Sequence, residues 1–406
     1  MILSERTIIS QTNILYKECD ELCLKTKNLY NFALFINKKE YETTGKHLNY
    51  IQLNKFLSET KQKDYIALKA KVAQQVLMLL DRHFNYFFKS LELFKKNPSS
   101  FNGKPSSPKF LNKKSGRFVA IFTRQAISEI ALKKGFVKLS GTKISIESNK
   151  NPKQARVVYL GNKRYAIEVL YEKNEENLLI NSNYAGIDLG VNNLATVVFN
   201  NNTPPIIING KPLKSINQYY NKKRAEYQSK LPKYKNNNEV KQKYNSKKLC
   251  NLTHKRNCKI TDYLHKATCQ LAKDLKQSNI SKVVIGKNKQ WKHKINIGGK
   301  NNQNFVSIPY NKFIHFLTYK LKLIGIETIC REESYTSKCS FLDNEFIIKH
   351  DNYKGKRVTR GMFKSENGIL WNADCNGACN ILKKEVPNAF ANGIEGVLVH
   401  PRKHSF

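Results

Sequence analysis

The chain has 406 residues, with 71 Lys or Arg against 31 Asp or Glu, a formal net charge of +40. At roughly 150 residues per domain this length suits two or three domains, and 40% hydrophobic with 11% aromatic residues argues for packed cores rather than disorder. No apolar run approaches the about 20 residues needed to cross a bilayer, and Glu5 and Arg6 interrupt the start before any signal-peptide core forms, so membrane and secreted classes are set aside.

In chain order, residues 2–9 read as a short strand. Leu15, Cys19, Leu22, Thr26, Leu29, Ala33 and Ile36 then recur at steps of four and three, which predicts a helix with one apolar stripe. Leu68, Val72, Val76, Leu79, Leu80, Phe84, Phe87 and Phe88 predict a second helix, its aromatic stripe read as core. A breaker-rich stretch from Asn97 to Pro108 ends the helical character. Beyond it, Phe136–Leu139 and Ile144–Glu147 are expected strands, and Val157 to Tyr171 around Gly161-Asn162 is an expected hairpin. Residues 1–180 therefore read as a β-barrel with a helical insertion at about 12–95, and the polar stretch Glu172 to Asn183 as a boundary.

After residue 184 the pattern becomes α/β. Ala185–Leu189, Leu194–Phe199 and Pro205–Ile208 predict three strands. A long basic segment runs from Lys211 to Ser278, Lys- and Asn-rich first and helical in its second part. Val283–Ile285, Asn311–Ile324 and Glu327–Arg331 predict strand, helix and strand, with a last helix after residue 372. That connectivity is the one an RNase H-like sheet requires. The fold class read from the sequence is thus multidomain, α+β followed by α/β. Its parts are an N-terminal barrel at 1–180, an RNase H-like domain at 184–390 with a basic insert at 340–371, and a C-terminal tail at 391–406.

So large an excess of bases would repel itself unless a polyanion neutralises it, which points to nucleic acid. Nine scattered cysteines (19, 23, 250, 258, 269, 330, 339, 375 and 379) form no disulfide framework, and a reducing compartment is expected, cytoplasmic or, in a eukaryote, nuclear.

Against that basic background, acids inside apolar segments stand out. Asp188 lies in Gly186-Ile187-Asp188-Leu189-Gly190-Val191-Asn192-Asn193, within an expected buried strand, where a carboxylate needs a charge or metal as partner. Asp374 lies in Asp374-Cys375-Asn376-Gly377-Ala378-Cys379-Asn380-Ile381, at the start of the last helix. An N-cap aspartate is the alternative reading there.

Together these two segments resemble the first and third motifs of the TnpB (OrfB) family, transposon-encoded proteins with a RuvC-like nuclease domain related to type V CRISPR effectors. The helix around Gln74 and Gln75, Pro108-Lys109-Phe110 and Thr336-Ser337-Lys338 are similar to family features as well. The resemblance implies an RNA-guided DNA endonuclease that holds a guide RNA from the transposon end, reads an adjacent motif and cuts double-stranded target DNA. It further implies a three-carboxylate site for Mg²⁺, with two ions about 4 Å apart.

Two departures from the family pattern matter. Gly286 stands where the second-motif Glu is expected, in Val283-Val284-Ile285-Gly286-Lys287-Asn288. A displaced Glu, as in Fanzor relatives, is expected at the end of the next strand: Glu333, with Glu332 as the reserve. The expected metal ligands and catalytic residues are therefore Asp188, Glu333 and Asp374. The family's four-cysteine zinc ribbon is missing too, because Cys330, Cys339, Cys375 and Cys379 lack ribbon spacing, and no zinc is expected. The helix bearing Lys71 and Gln75, one turn apart, resembles the family's duplex-facing helix, where an amide such as Gln75 can read adenine. The competing readings are a nuclease-dead RNA-guided repressor and a transposase with an RNase H core. Oligomeric state stays open.

Overall fold

The computed structural model describes residues 1–236, 239–242, 246–288, 298–391 and 393–406, with the side chains of 233–242 and Lys300 also left aside. Parts of the Lys- and Asn-rich stretch before residue 246 thus lie outside the described residues. The chain divides into two compact units, Met1–Lys173 and Asn174–Phe406. Among the described residues no helix is long and apolar enough to cross a membrane.

Unit 1 begins with β1 (Ile2–Ile9) and helices α1 (Tyr16–Thr44), α2 (Tyr50–Glu59), α3 (Lys63–Ile66) and α4 (Ala70–Lys96). There follow β2 (Ala120–Thr123), α5 (Glu129–Lys133), β3 (Phe136–Lys138), β4 (Ser145–Glu147), β5 (Pro152–Gly161) and β6 (Arg164–Glu172). The stripes predicted for α1 and α4 are buried, with Cys19, Leu29, Ala33, Val72, Val76 and Leu80 at 0–1% exposure in a core shared with Val157, Tyr165 and Ile167 of the sheet. The hairpin forms, but its tip is Asn162-Lys163 rather than Gly161-Asn162. Both tip residues have positive φ, 50° and 56°, the geometry that matches strand twist.

The expected barrel is not closed. The sheet is open, in the order β1-β6-β5-β2, while β3 and β4 pair only with each other. Those two strands span three residues and bury one side chain apiece, Val137 and Ile146, too little to carry a sheet round. Helices cover the sheet instead, through contacts of α4 with β2 and of α1 with β5 and β6.

Unit 2 opens with β7 (Tyr184–Leu189), β8 (Asn193–Phe199) and β9 (Ile206–Asn209), then α6 (Lys211–Ser229), β10 (Lys233–Asn236), β11 (Glu239–Gln242) and α7 (Lys247–Gln277). Next come β12 (Lys282–Gly286), α8 (Gly299–Ser307), α9 (Tyr310–Leu323), β13 (Glu327–Arg331), β14 (Lys356–Thr359), β15 (Met362–Lys364) and β16 (Leu370–Asn372). The chain closes with α10 (Ala373–Glu385), α11 (Glu395–Leu398) and β17 (Arg402–His404). A six-stranded sheet runs β13-β12-β7-β8-β9-β17. Strand β8 runs antiparallel to both of its neighbours, β7 and β9, whereas β12 and β13 run parallel to β7. The segment expected as a tail contributes the sixth strand, since Arg402–His404 pairs in parallel with Ile206–Ile208. The basic insert folds as the antiparallel sheet β14-β15-β16, which turns Phe363 and Trp371 into a core with Phe341, Cys375 and Cys379.

Helix α10 lies hard against β7, and two small residues make that possible. A Cβ built on Gly186 would sit 2.4 Å from the Ala378 carbonyl oxygen and 2.8 Å from Leu382 Cβ. Backbone cannot give way as a flexible side-chain end can, so Gly186→Ala is expected to destabilise the protein by about 2–3 kcal/mol or more through overpacking. Gly361→Ala, where a Cβ meets nothing within 4 Å, serves as the control and is expected to stay within about 0.5 kcal/mol of wild type. Urea unfolding of the two variants checks the difference.

Candidate active site

Asp188 sits on the central strand β7, opposite Thr196 of β8. Its carboxylate faces α10, where a Cβ on Gly377 would lie 3.1 Å from Asp188 Oδ2. Burial, followed by the negative charges of Glu333 and Asp374, raises its pKa well above the ordinary carboxylate range, with only partial relief from Arg357. The three acids expected from the sequence therefore act on one another electrostatically.

Asp374 lies in the first turn of α10 but does not cap it. Asn372 is the cap, its side chain accepting from the backbone N–H groups of Asp374 (2.9 Å) and Cys375 (3.1 Å). The Asp374 carboxylate is left to accept from Asn193 Nδ2 at 2.7 Å and from Arg357 at 2.9 Å.

Glu333 follows β13, which pairs in parallel with β12 and sets Gly286 opposite Arg331. A Cβ on Gly286 would fall 2.7 Å from Glu333 Oε2 and 2.4 Å from Ile381 Cδ1. The Glu333 carboxylate thus occupies the space that a side chain at 286 would enter. Asn288 holds it from two sides, donating to Oε1 at 3.2 Å and accepting the Glu333 N–H at 3.1 Å. Oε2 is buried and has no hydrogen-bond partner among the described residues. Burial and then neighbouring Glu332 push the Glu333 pKa up to about 7, against the opposing pull of Lys384. Glu332 itself is exposed and its carboxylate meets Lys384 at 3.1 Å.

Asparagines of the last helix secure this loop. Asn380 donates to the carbonyls of Thr336 (2.9 Å) and Cys339 (2.8 Å), Asn376 bonds Cys339 and Phe341, and Thr336 donates its hydroxyl to the Glu333 carbonyl at 2.8 Å. Asn193, Asn288 and Arg357 are site residues that the sequence reading did not single out. Position offers a signal for two of them: Asn193 closes the first motif, and Asn288 lies two residues past Gly286.

A cleft of about 480 Å³ opens onto Asp188 and Asp374 and is rimmed by Lys211, Arg357, Arg360 and Lys403. Hard carboxylates, one with an orphaned buried oxygen, are donors of the kind a divalent cation takes. Among the described residues, however, no three His, Cys, Asp or Glu side chains are arranged as a ready metal site, and Asp374 is engaged by Arg357 and Asn193. The cysteines form no ligand group beside these acids among the described residues. Cys375 and Cys379 are buried, with thiols pushed upward by desolvation, Cys375 to about 12, while Cys330 is exposed. Lys71 is exposed and Gln75 half-buried on α4, where Gln75 contacts Met78 Sδ at 3.3 Å; both belong to unit 1, away from the acids in sequence.

What fold and site define is a strongly basic, two-unit α/β protein with an acidic cleft at the end of a mixed sheet. Residues 166–292 match the family described as "Probable transposase" (OrfB_IS605), and residues 310–381 match "Cas12f1-like, TNB domain". The TnpB-like protein ORF457 of Acidianus two-tailed virus is 29% identical over 205 residues, 50% of this chain and 42% of that protein, so the matched region spans less than half of the relative. Among solved structures, a Cas12f1–sgRNA–target DNA complex aligns at 18% identity and TM-score 0.38, covering 93% of this chain and 98% of that one. The mini-RNA-guided endonuclease CRISPR-Cas_phi3 aligns at 11% identity and TM-score 0.46, covering 99% and 94%. In these matches and in its two signature segments, the chain is similar to the TnpB (OrfB) family over parts of its length.

A carboxylic acid with a raised native pKa keeps its proton where the unfolded chain has released it. Stability therefore falls as pH rises through the window from about 4.5 to about 7 that Glu333 spans. Glu333→Gln removes the charge but keeps the shape, and is expected to stabilise the protein at pH 8 in EDTA by roughly 1–3 kcal/mol. At pH 4.5 the effect should be close to zero. Urea unfolding at the two pH values measures it; equal effects at both would contradict the assignment.

Proposed function

We propose that this protein is an RNA-guided DNA endonuclease encoded by a transposon, with unit 2 as its RuvC-like domain. Three antiparallel strands followed by two parallel ones on the other side of β7 support that reading of the sheet. The observation that carries the catalytic assignment is the Glu333 carboxylate in the space above Gly286. Strand β12 has lost the expected acid, and the neighbouring strand end delivers a carboxylate beside the same position. Glu332, paired with Lys384 in solvent, is the weaker candidate.

Asp188, Glu333 and Asp374 would hold Mg²⁺, with Asp374 exchanging Arg357 for the cation. When bound, the metal would supply an activated water and neutralise charge on the scissile phosphate. The protein's own contribution is positioning. Asn288 and the Asn380–Thr336 link orient Glu333, and Asn193 orients Asp374. Lys211, Arg357, Arg360 and Lys403 would hold phosphates at the cleft, and Arg357 once released from Asp374 would be available to a strand lying there. Guide RNA pairing would carry sequence specificity, while unit 1, with Lys71 and Gln75, would read the adjacent duplex motif. The Arg357–Asp374 ion pair also favours a second reading, a nuclease-dead RNA-guided repressor whose acidic centre is permanently neutralised by arginine.

RNA copurified with the protein should be discrete and end at a transposon boundary; random cellular RNA would defeat the guided reading. Loaded with that RNA, the wild type should cut a matched duplex in Mg²⁺. Asp188→Ala, Glu333→Ala and Asp374→Ala should each lose on the order of a hundredfold or more, the loss of several kcal/mol of charge stabilisation. Glu332→Ala should retain activity. The reverse result for the two glutamates moves the ligand by one residue, and a wild type that binds but never cuts selects the repressor. Independently of cleavage, Mg²⁺ should raise the melting temperature of the wild type at pH 8 and leave Glu333→Gln nearly unchanged.

A further inference from the structure

A second cleft, of about 660 Å³, lies between α6 and α7 in unit 2. Its chemistry differs from that of the acidic centre. Helix α6 contributes Tyr219, Tyr220 and Tyr227, which with Ile216 fall at i, i+3, i+4 and i+11 on one face. Helix α7 contributes Lys248, Lys255 and Lys259, at i, i+7 and i+11 along roughly 16 Å of helix. Among the described residues no acidic side chain lines the cleft and no carboxylate pairs with these three lysines.

The floor is rigid and the rim is free. Arg256 is bonded to Asn217 Oδ1 at 2.7 and 2.9 Å and to the Ser307 carbonyl at 2.8 Å, and its guanidinium lies 5.5 Å from the Tyr220 ring centroid. Tyr220 also meets Thr253 at 3.2 Å through its hydroxyl. Arg256 and Tyr220 are thus engaged within the protein. Tyr219, by contrast, is 61% exposed, Tyr227 is half-buried, and neither ring is stacked on another aromatic in the described structure. One exposed and one half-buried aromatic ring in a cleft shared with a row of lysines match a single nucleic-acid strand, whose bases offer flat faces and whose phosphates offer regularly spaced charge. A duplex would present only its backbone and leave the tyrosines nothing to stack on.

We propose that the α6–α7 cleft binds a single-stranded segment of nucleic acid, with unstacked bases on Tyr219 and Tyr227 and phosphates on Lys248, Lys255 and Lys259. This rests on the reading of the chain as a nucleic-acid-binding protein but not on cleavage. It assigns a strand-holding role to the part of unit 2 that contains no catalytic acid. Either the guide RNA outside its paired region or a displaced DNA strand has the required chemistry.

The test uses the full chain, stripped of nucleic acid at high salt, in EDTA so that no cleavage enters. Fluorescein-labelled U10, dT10 and an abasic ten-mer of equal charge are titrated by anisotropy, and the base-containing strands should bind more tightly. In Tyr219→Ala/Tyr227→Ala that preference should shrink by about fivefold or more per stacked base, whereas Tyr219→Phe/Tyr227→Phe should keep it. Lys255→Gln/Lys259→Gln should weaken all three strands and lower the salt slope by about 1.4. An equal preference in the alanine variant, or none in the wild type, overturns the proposal. So does displacement of U10 by micromolar AMP, which would mark a site for free nucleotide. Tighter binding of U10 than dT10 would identify RNA as the occupant, and the reverse would identify DNA. A protein that passes this test yet never cuts DNA leaves the strand site standing and removes the endonuclease reading alone.

Discussion

The close contact of α10 with β7 is the constraint on which the candidate site depends. Gly186 lets the Ala378 backbone come to a distance no side chain would permit. From that contact Gly377 covers Asp188, Asp374 is set at the helix start, and Asn376 and Asn380 reach the loop that carries Glu333. One backbone approach thus positions three carboxylates drawn from segments about 40 to 190 residues apart. The small residues of the two motifs bring helix and sheet close enough for the acids to share a field.

That field is unfavourable to the protein alone. Asp188 and Glu333 are held where burial and mutual repulsion favour their neutral forms. Local compensation is partial: Arg357 takes Asp374, Lys384 takes Glu332, and Glu333 Oε2 has no partner among the described residues. A net charge of +40 spread elsewhere on the chain does little for these groups, because exposed lysines beyond about 10 Å are screened at physiological salt. Stored repulsion of this kind is a common mark of a site that awaits a cation.

The Glu333 carboxylate beside Gly286 fits the proposed shift of a functional group from one strand end to the next. Parallel neighbours in register end side by side, so a carboxylate lost from one strand end can be replaced from the next. The cost is a longer reach, and Asn288 and Thr336 are what hold the replacement in place. The orphaned oxygen and the missing Cβ at 286 are two views of one geometric fact.

Much of this was legible in the amino-acid sequence. The periodicity of α1 and α4, the hydrophobic strands around Asp188 and the Asp-x-Asn-Gly-Ala helix start are local patterns, and local propensity decides them. The pull toward nucleic acid follows from charge alone. Other features were not local. The open sheet of unit 1 depends on which edges find partners, and the short strands β3 and β4 chose each other. Strand β17 is three polar residues whose pairing with β9 exists only once the sheet is built. Arg357 was one of several bases in an insert, and only the packing of β14 to β16 on α10 brought it to Asp374. Likewise, two acids side by side at 332 and 333 are equivalent on paper, yet the fold buries one above Gly286 and turns the other to solvent. Sequence by itself determined the elements and the kinds of groups, because these rest on neighbours a few residues away. Tertiary structure alone decided which groups meet, because burial and charge coupling act through space.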